Sequence, residues 1–343
     1  MKCPTLSELP EPPAGRHGWP WDEGSPELSA TGNDASSWPG ISIVTPSYNQ
    51  AQYLEETIRS ILLQGYPDLE YFIIDGNSTD QSVDIIRKYE PWLAGWVSEQ
   101  DHGQSEAINK GFARCTGEIF NWICSDDMLT RGSLALVGGT FAENPGIDAI
   151  GGACLFQYDD DPDMNLVHHV DWRNWRKTPC TSVIWQPSVF FRRRLISRER
   201  LVRADLHYCM DRELWAYLES RGAVWKWLDQ TLSVFRFTGG NKSIIGGRKV
   251  IGELEEVYRS YINEPVPLPL LVRKLWLPWI MMQERARGGP LRSLARLMSR
   301  ATSACLLAFY PQARLRSLQR EFHFHGARAL ATRQFPKPSR LPA

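Results

Sequence analysis

The 343-residue chain lacks the features that would mark a metal-thiolate centre, a disulfide scaffold, an exported protein or a membrane span. Its seven cysteines (Cys3, Cys115, Cys124, Cys154, Cys180, Cys209 and Cys305) stand singly, with no C-x-x-C pair. That spacing excludes a zinc knuckle and a disulfide framework and fits a reducing cytoplasm. The first residues, Met1-Lys2-Cys3-Pro4, run on through prolines and acids without the basic and apolar regions of an export signal, so a cytoplasmic location is expected. Between Pro265 and Pro278 the apolar run is broken by Arg273 and Lys274, well short of the roughly 20 residues a span requires. No glycine-rich phosphate loop occupies Pro46 to Gln52, which argues against a nucleotidyltransferase.

Net charge is also absent, with 39 bases against 39 acids, but the balance is uneven along the chain. From Pro265 onward there are 14 Lys and Arg and only Glu284 and Glu321, a surplus of +12 that the preceding residues offset with −12. The C-terminal segment is therefore a basic module. Residues 1 to 40 are rich in Pro, Gly, Ser and acids, which predicts a flexible or loosely packed leader. A hydrophobic content of 43% leaves ample material for a core elsewhere.

From Ile41 the pattern becomes α/β. Ile41-Ser42-Ile43-Val44-Thr45 predicts a strand, and Leu54, Ile58, Ile61 and Leu62 recur at helical spacing after it. Tyr71 to Ile74 predicts a second strand closed by Asp75, followed by a helix through Val83, Ile85 and Ile86. Trp96-Val97, a helix from Ser105 to Cys115, and a strand from Ile119 to Cys124 continue the alternation. Such alternation predicts a mostly parallel sheet with helices on its faces, and ligands on these sheets gather at the carboxyl ends of the strands. We expect a leader over 1–40, an α/β domain over 41–264 with halves 41–130 and 131–264, and a helical extension over 265–343.

Three of those strand ends carry polar residues that a core does not need: Thr45 to Asn49, Asp75, and Ser125-Asp126-Asp127. An aspartate after a strand is commonly a turn former. Two adjacent carboxylates are different, because like charges repel unless a cation or hydrogen-bond donors lie between them. In order and spacing, the segments Ile41–Gln64, Glu70–Asp80, Asp101–Gly111 and Glu118–Leu129 resemble the inverting family 2 glycosyltransferases, which have a GT-A fold.

The resemblance implies a role for each position. Pro46, Ser47, Tyr48 and Asn49 would pack on the nucleotide base, and Asp75 would bond a uracil ring. The run from Asp101 to Gly111, with Gln104 and Asn109, would line the donor cleft. Asp126 would face the ribose and Asp127 would hold a divalent Mn or Mg. Position 125 is Ser where many relatives carry a third acid, which leaves the cation's remaining ligands open.

Inversion at a sugar carbon requires a general base for the attacking hydroxyl. Asp205 to Trp215 resembles the family segment in which an acid precedes a helix, and the match assigns the base to Asp211, with Glu213 and Asp205 as the other candidates. The structural alternative makes Asp211 an N-cap. Trp185 to Arg192 resembles the stretch leading to the acceptor site, and the nearby tryptophans (Trp172, Trp175, Trp185, Trp215, Trp225 and Trp227) read more as core than as a sugar platform. Phe235 to Ser243 resembles a loop over the donor phosphates, with Arg236 and Lys242 as phosphate contacts, although Thr238 stands where relatives often place His.

The expected activity is the transfer of one sugar from a nucleotide diphosphate, by resemblance UDP, to a saccharide or lipid-linked hydroxyl in polysaccharide assembly. The alternative is an inactive, sugar-binding member of the same family. Spans and the Gln-x-x-Arg-Trp motif of processive relatives are both missing, which favours single transfer. In the basic segment Leu291, Leu294, Met298, Ala301, Cys305 and Ala308 recur at helical spacing beside an i, i+4 row of Arg292, Arg296 and Arg300. That pattern fits either an anionic membrane surface on the inner face of the cell membrane or packing against the acidic half or another subunit. No nucleic-acid module accompanies the charge.

Overall fold

A computed structural model describes residues 3–28, 38–159, 162–170, 184–196, 201–238, 240–242, 246–286 and 288–323. The chain divides into two compact units. The first holds Met1–Val170, Ile184–His207 and Arg221–Arg236, and the second Asp171–Val183, Tyr208–Ser220 and Phe237–Ala343. This division differs from the expected boundary at 264, because the Asp211 helix and the chain from Phe237 gather with the basic segment.

The first unit is organised by its sheet. Strand β1 (Ile41–Ser47) is buried along its whole length and pairs in parallel with β2 (Leu69–Asp75) on one side and β4 (Ile119–Trp122) on the other. Strand β3 (Gly95–Ser98) extends the parallel part beyond β2. The intervening helices are α1 (Ala51–Leu62), α2 (Ser82–Tyr89) and α3 (Gln104–Arg114). Leu54, Ile58, Ile61 and Leu62 of α1 are all fully buried, as their spacing predicts.

Past β4 the sheet is antiparallel. After β5 (Met128–Leu129) and α4 (Ser133–Glu143) come β6 (Ala149–Tyr158), β7 (Leu166–His168), β8 (Val189–Arg192) and β9 (Trp225–Phe237). Strand β8 pairs antiparallel with β4 and β6, β7 with β6, and β5 with β9. Among the described residues the order is β3-β2-β1-β4-β8-β6-β9-β5, so parallel pairing ends at β4.

The leader does not behave as a loose segment over residues 3–28. The guanidinium of Arg59, fully buried on α1, donates to the carbonyls of Pro10, Pro20 and Trp21 and to the Tyr89 hydroxyl. An arginine buried there requires several acceptors, and the leader supplies three of them as main-chain oxygens. Trp19 Nε1 also donates to the Leu129 carbonyl at 2.9 Å.

The second unit is helical: α5 (Met210–Ser220), α6 (Arg248–Tyr261), α7 (Leu268–Leu271), a π-helical turn Val272–Trp276 running into α8 (Leu277–Arg285), α9 (Gly289–Leu307) and α10 (Gln312–Phe322). Part of its basic charge is matched internally, Arg273 by Glu255 and Arg314 by Glu264, each at 2.6 Å. Among the described residues no helix is long and apolar enough to cross a membrane.

Candidate functional site

Parallel register sets the strand ends side by side. Ser47 at the end of β1 pairs with Asp75 at the end of β2, which pairs with Ser98 at the end of β3. Asp75 is fully buried, and its carboxylate accepts from Ser78 N (2.9 Å), Ser78 Oγ (2.5 Å) and Ser98 Oγ (2.6 Å). It is thus a turn former as well as a candidate base contact. Ser47 Oγ is buried and has no hydrogen-bond partner among the described residues, an orphan hydroxyl at the end of a central strand. The loops after β1 and β2 are tied together, since Asn49 Oδ1 accepts from Thr79 N, Ser78 Oγ accepts from Asn49 N, and Asp80 accepts from Ala51 N. Asn49, with φ of 51°, sits in the left-handed region that asparagine tolerates. Pro46 lies inside β1, whereas Tyr48 projects outward and is exposed.

Asp101 accepts from Gly103 N at 2.8 Å, and a Cβ on Gly76 would stand 3.0 Å from the Asp101 carboxylate. The segment therefore lies against the Asp75 turn, and glycine at 76 permits the approach. Gln104 Nε2 is 3.0 Å from Cys124 Sγ. Both ends of the Asn109 carboxamide are engaged by the main chain of Val202, at 2.9 and 3.0 Å. Asn109 thus anchors the 201–206 loop, as does Ser105, whose hydroxyl donates to the Leu206 carbonyl.

The acid turn follows β4. Thr57 Oγ1 of α1 lies 3.0 Å from the Ser125 carbonyl and 2.7 Å from that of Asp127, and Asp127 N donates back to the Cys124 carbonyl. Asp127 is only 2% exposed, and its Oδ1 accepts from Arg236 N at 3.2 Å. Burial pushes Asp126 up to about 6, opposed in part by Arg236. Burial first, and then the charge of Asp126, hold Asp127 well above the ordinary carboxylate range. Two acids desolvated side by side favour their neutral forms unless a cation joins them. Ligand atoms of Asp126, Asp127 and Cys124 lie within 4.8 Å of one another. Two carboxylate oxygens suit Mg or Mn, and the thiol is the softer third atom.

Arg236, at the end of β9, is neither a surface charge nor an open phosphate contact. Its side chain is 7% exposed, and it donates to Glu56 Oε2 at 2.6 Å and Asp159 Oδ1 at 3.0 Å. It also reaches the Asp126 carbonyl at 3.3 Å and lies over the Tyr53 ring. The guanidinium therefore clamps α1, the end of β6 and the acid turn. A cleft of about 370 Å³ opens beside it, lined in part by Arg16, Tyr53, Gln157 and Asn165. Glu56 and Asp159 escape sequence reasoning: Glu56 reads as a solvated helix position, and Asp159 opens an acidic run that reads as a loop.

The Trp185–Arg192 segment is knitted into the sheet. Gln186 Nε2 donates to Asn121 Oδ1 and the Trp122 carbonyl, and Trp185 packs edge-on to Phe156. Trp215 is buried, and Trp225 stacks on Trp227 at 5.2 Å. Trp172 and Trp175 lie outside the described residues.

In the second unit Asp211 occupies the first turn of α5, one residue inside the helix, and its Oδ1 accepts from Arg212 N. It is not the N-cap. Glu253 of α6 takes that part, accepting from Tyr208 N and Cys209 N at 2.7 and 2.9 Å. Glu213 is buried and bonds the Tyr261 hydroxyl at 2.5 Å, which makes it structural. Asp205, in the first unit, is exposed and pairs with Arg203. Asn241 Oδ1 accepts from Thr238 N at 2.9 Å, closing the loop that carries Lys242, itself half-buried.

Residues 42–209 match the family model described as glycosyl transferase family 2. The chain is 35% identical over 103 residues to a putative teichuronic acid biosynthesis glycosyltransferase, TuaG, of Bacillus subtilis, a stretch covering 29% of this chain and 41% of that one. It is 37% identical over 91 residues to an uncharacterized glycosyltransferase of a Nostoc species, covering 26% and 28%. The matched stretch thus spans well under half of either relative. Among solved structures, S. aureus TarS (residues 1–349) in complex with UDP-GlcNAc superposes with a TM-score of 0.52 at 15% identity, covering 83% of this chain and 90% of that one. A mannosyltransferase of Pyrobaculum calidifontis in complex with GDP-Man and Mn2+ gives 0.54 at 19% identity, covering 83% and 85%.

Proposed function

Because the chain belongs, over residues 42–209, to glycosyltransferase family 2, we propose that it transfers a single sugar from a nucleotide diphosphate donor to an acceptor hydroxyl with inversion. Its α/β architecture with a helical C-terminal region is the GT-A fold. The observation that carries the proposal is the Asp126–Asp127 pair after β4, Asp126 half-buried and Asp127 buried, in line with the orphan hydroxyl of Ser47 and with Asp75 at the ends of β1 and β2.

In this reading Tyr48 and Asp75 hold the base of a UDP-sugar, Asp101 and Gln104 line the donor, and Asp126 faces the ribose. Asp127 holds a divalent cation, Mn or Mg, which supplies charge stabilisation to the departing diphosphate. Lys242 contacts the phosphates. Arg236 acts through the turn: held by Glu56 and Asp159, it donates its N–H to the Asp127 carboxylate and its Nε to the Asp126 carbonyl, and so fixes the Asp127 carboxylate and the main chain beside it. Asp211 accepts the proton of the acceptor hydroxyl as its oxygen bonds to the sugar carbon and the carbon–phosphate-oxygen bond breaks on the opposite face. The acceptor is a saccharide or a lipid-linked sugar of a polysaccharide, which agrees with the teichuronic acid pathway in TuaG's name.

Calorimetric titration with UDP, GDP and several UDP-sugars, with and without Mn, tests the donor site. Asp127→Ala should weaken binding at least about tenfold where Mn is present. If no nucleotide binds under any condition, the transferase reading fails. Asp211→Asn should leave donor binding intact and slow transfer about a hundredfold to ten-thousandfold, and unchanged turnover would reject Asp211 as the base.

A further inference from the structure

We propose that α9 is a docking helix for an anionic lipid surface, lying in the interfacial plane with its leucine face down. A helix on a soluble protein ordinarily turns its large apolar residues inward. Helix α9 does the reverse. The residues it buries are Ala295, Ser299 and Leu306, two of them small, whereas Leu291, Leu294, Leu297 and, just beyond the helix, Phe309 are exposed. Leu297 and Phe309 stand out furthest, at 63% and 81% exposure. At 3.6 residues per turn Leu291, Leu294, Leu297, Ala301 and Ala308 share one arc, with Arg300 on its flank beside Leu297 and Arg296 further round, towards the opposite side. Contiguous exposed apolar surface of this kind marks an interaction site.

Charge identifies the occupant. The segment from Pro265 onward carries 14 bases and two acids. Arg273 and Arg314 are matched by Glu255 and Glu264, and Glu284 by His323. Among the described residues no carboxylate pairs with Arg296 or Arg300, and both are exposed. A second copy docked through the same face would set one basic segment against another. An anionic bilayer instead offers acyl chains to the leucine arc and phosphates to Arg300 on its flank. The inference deepens the proposed transfer, and rests on that reading only in naming where a lipid-linked acceptor would be met.

The test uses the full chain with vesicles of phosphatidylcholine alone and of phosphatidylcholine mixed with phosphatidylglycerol. Co-sedimentation is expected with the mixed vesicles only, weakening as salt is raised. The pair Leu294→Glu and Leu297→Glu should abolish binding at every salt concentration. Arg300→Gln should lower binding by about fivefold and flatten its salt dependence, the worth of one arginine at such a surface. UDP titration of the same variants should be unchanged, which separates failure of the docking proposal from failure of the donor site. Equal binding to both vesicle types, or wild-type binding by the leucine variant, would overturn it. So would a dimer in light scattering that the leucine variant dissolves, since a second copy would then cover the face.

Discussion

Asp126 and Asp127 share one dry turn, and protons compete there with any cation. Asp126 is raised from the ordinary 3.8 to about 6 and Asp127 is raised further by the charge beside it. A carboxyl raised in the folded state binds protons that the unfolded chain has already released. The pair's contribution to the stability of the ligand-free protein should therefore be fully present below about pH 4 and be lost as pH rises through about 6. Thermal unfolding across that range should show the decline, and Asp126→Asn should flatten it; a profile that rises with pH would refute the assignment. By the same competition, Mn affinity measured calorimetrically should increase over that window. Arg236 is the counterpart of these acids. Arg236→Gln removes the guanidinium shared by the half-buried Glu56 and the more exposed Asp159, so urea unfolding should show a loss of about 1.5–3 kcal/mol, and a loss below about 0.5 kcal/mol would reduce the clamp to a minor contact. The acid pair was legible because adjacent carboxylates after an apolar strand have few structural uses. The clamp was not, since Arg236 lies 180 residues from Glu56 and 77 from Asp159, and only the folded sheet sets them together.

Helices and strands of the first half follow the sequence pattern closely because each has one unambiguous buried face. Gly111 shows how tightly α3 meets β1: a Cβ there would lie 2.5 Å from Val44 Cγ1. Alanine at a helix interior is otherwise favoured over glycine by about 1 kcal/mol, so overpacking has to exceed that gain to show. Gly111→Ala should destabilise by about 1–2 kcal/mol net, and Val44→Ala in the same chain should recover part of the loss; additive effects in that double-mutant cycle would disprove the contact. The antiparallel half was harder to read. Gly151 and Gly152 inside β6 resemble a turn, yet the Trp227 ring and the Leu232 side chain fill the space where their Cβ atoms would stand, at 2.1 and 2.4 Å. Glycine here permits close packing across strands, and a single sequence does not distinguish that use from a loop.

Across the whole molecule, residues 3–28 of the leader that composition predicts to be flexible or loosely packed act as part of the first unit. Proline, glycine and acid content predicts loose chain because such residues bury little apolar surface. Residues 3–28 are held in another way, through their main-chain carbonyls, which composition does not report. Arg59 collects Pro10, Pro20 and Trp21 and lies over the Trp21 ring, while Cys3, Leu9 and Trp21 are buried. Trp19 then reaches Leu129, two residues past Asp127, so the leader braces the strand that follows the acid turn. Deleting residues 1–28 would leave a buried guanidinium without three of its acceptors, and Arg59→Ala would leave those carbonyls without their donor. Both changes should cost about 3 kcal/mol or more in urea unfolding and increase amide exchange in α1. Donor affinity should fall in the deletion, because the turn that holds Asp126 and Asp127 loses its outer support. If the shortened chain instead unfolds at the wild-type midpoint and binds UDP as tightly, the leader is an appendage, and the strand ends are held by the sheet and α1 alone.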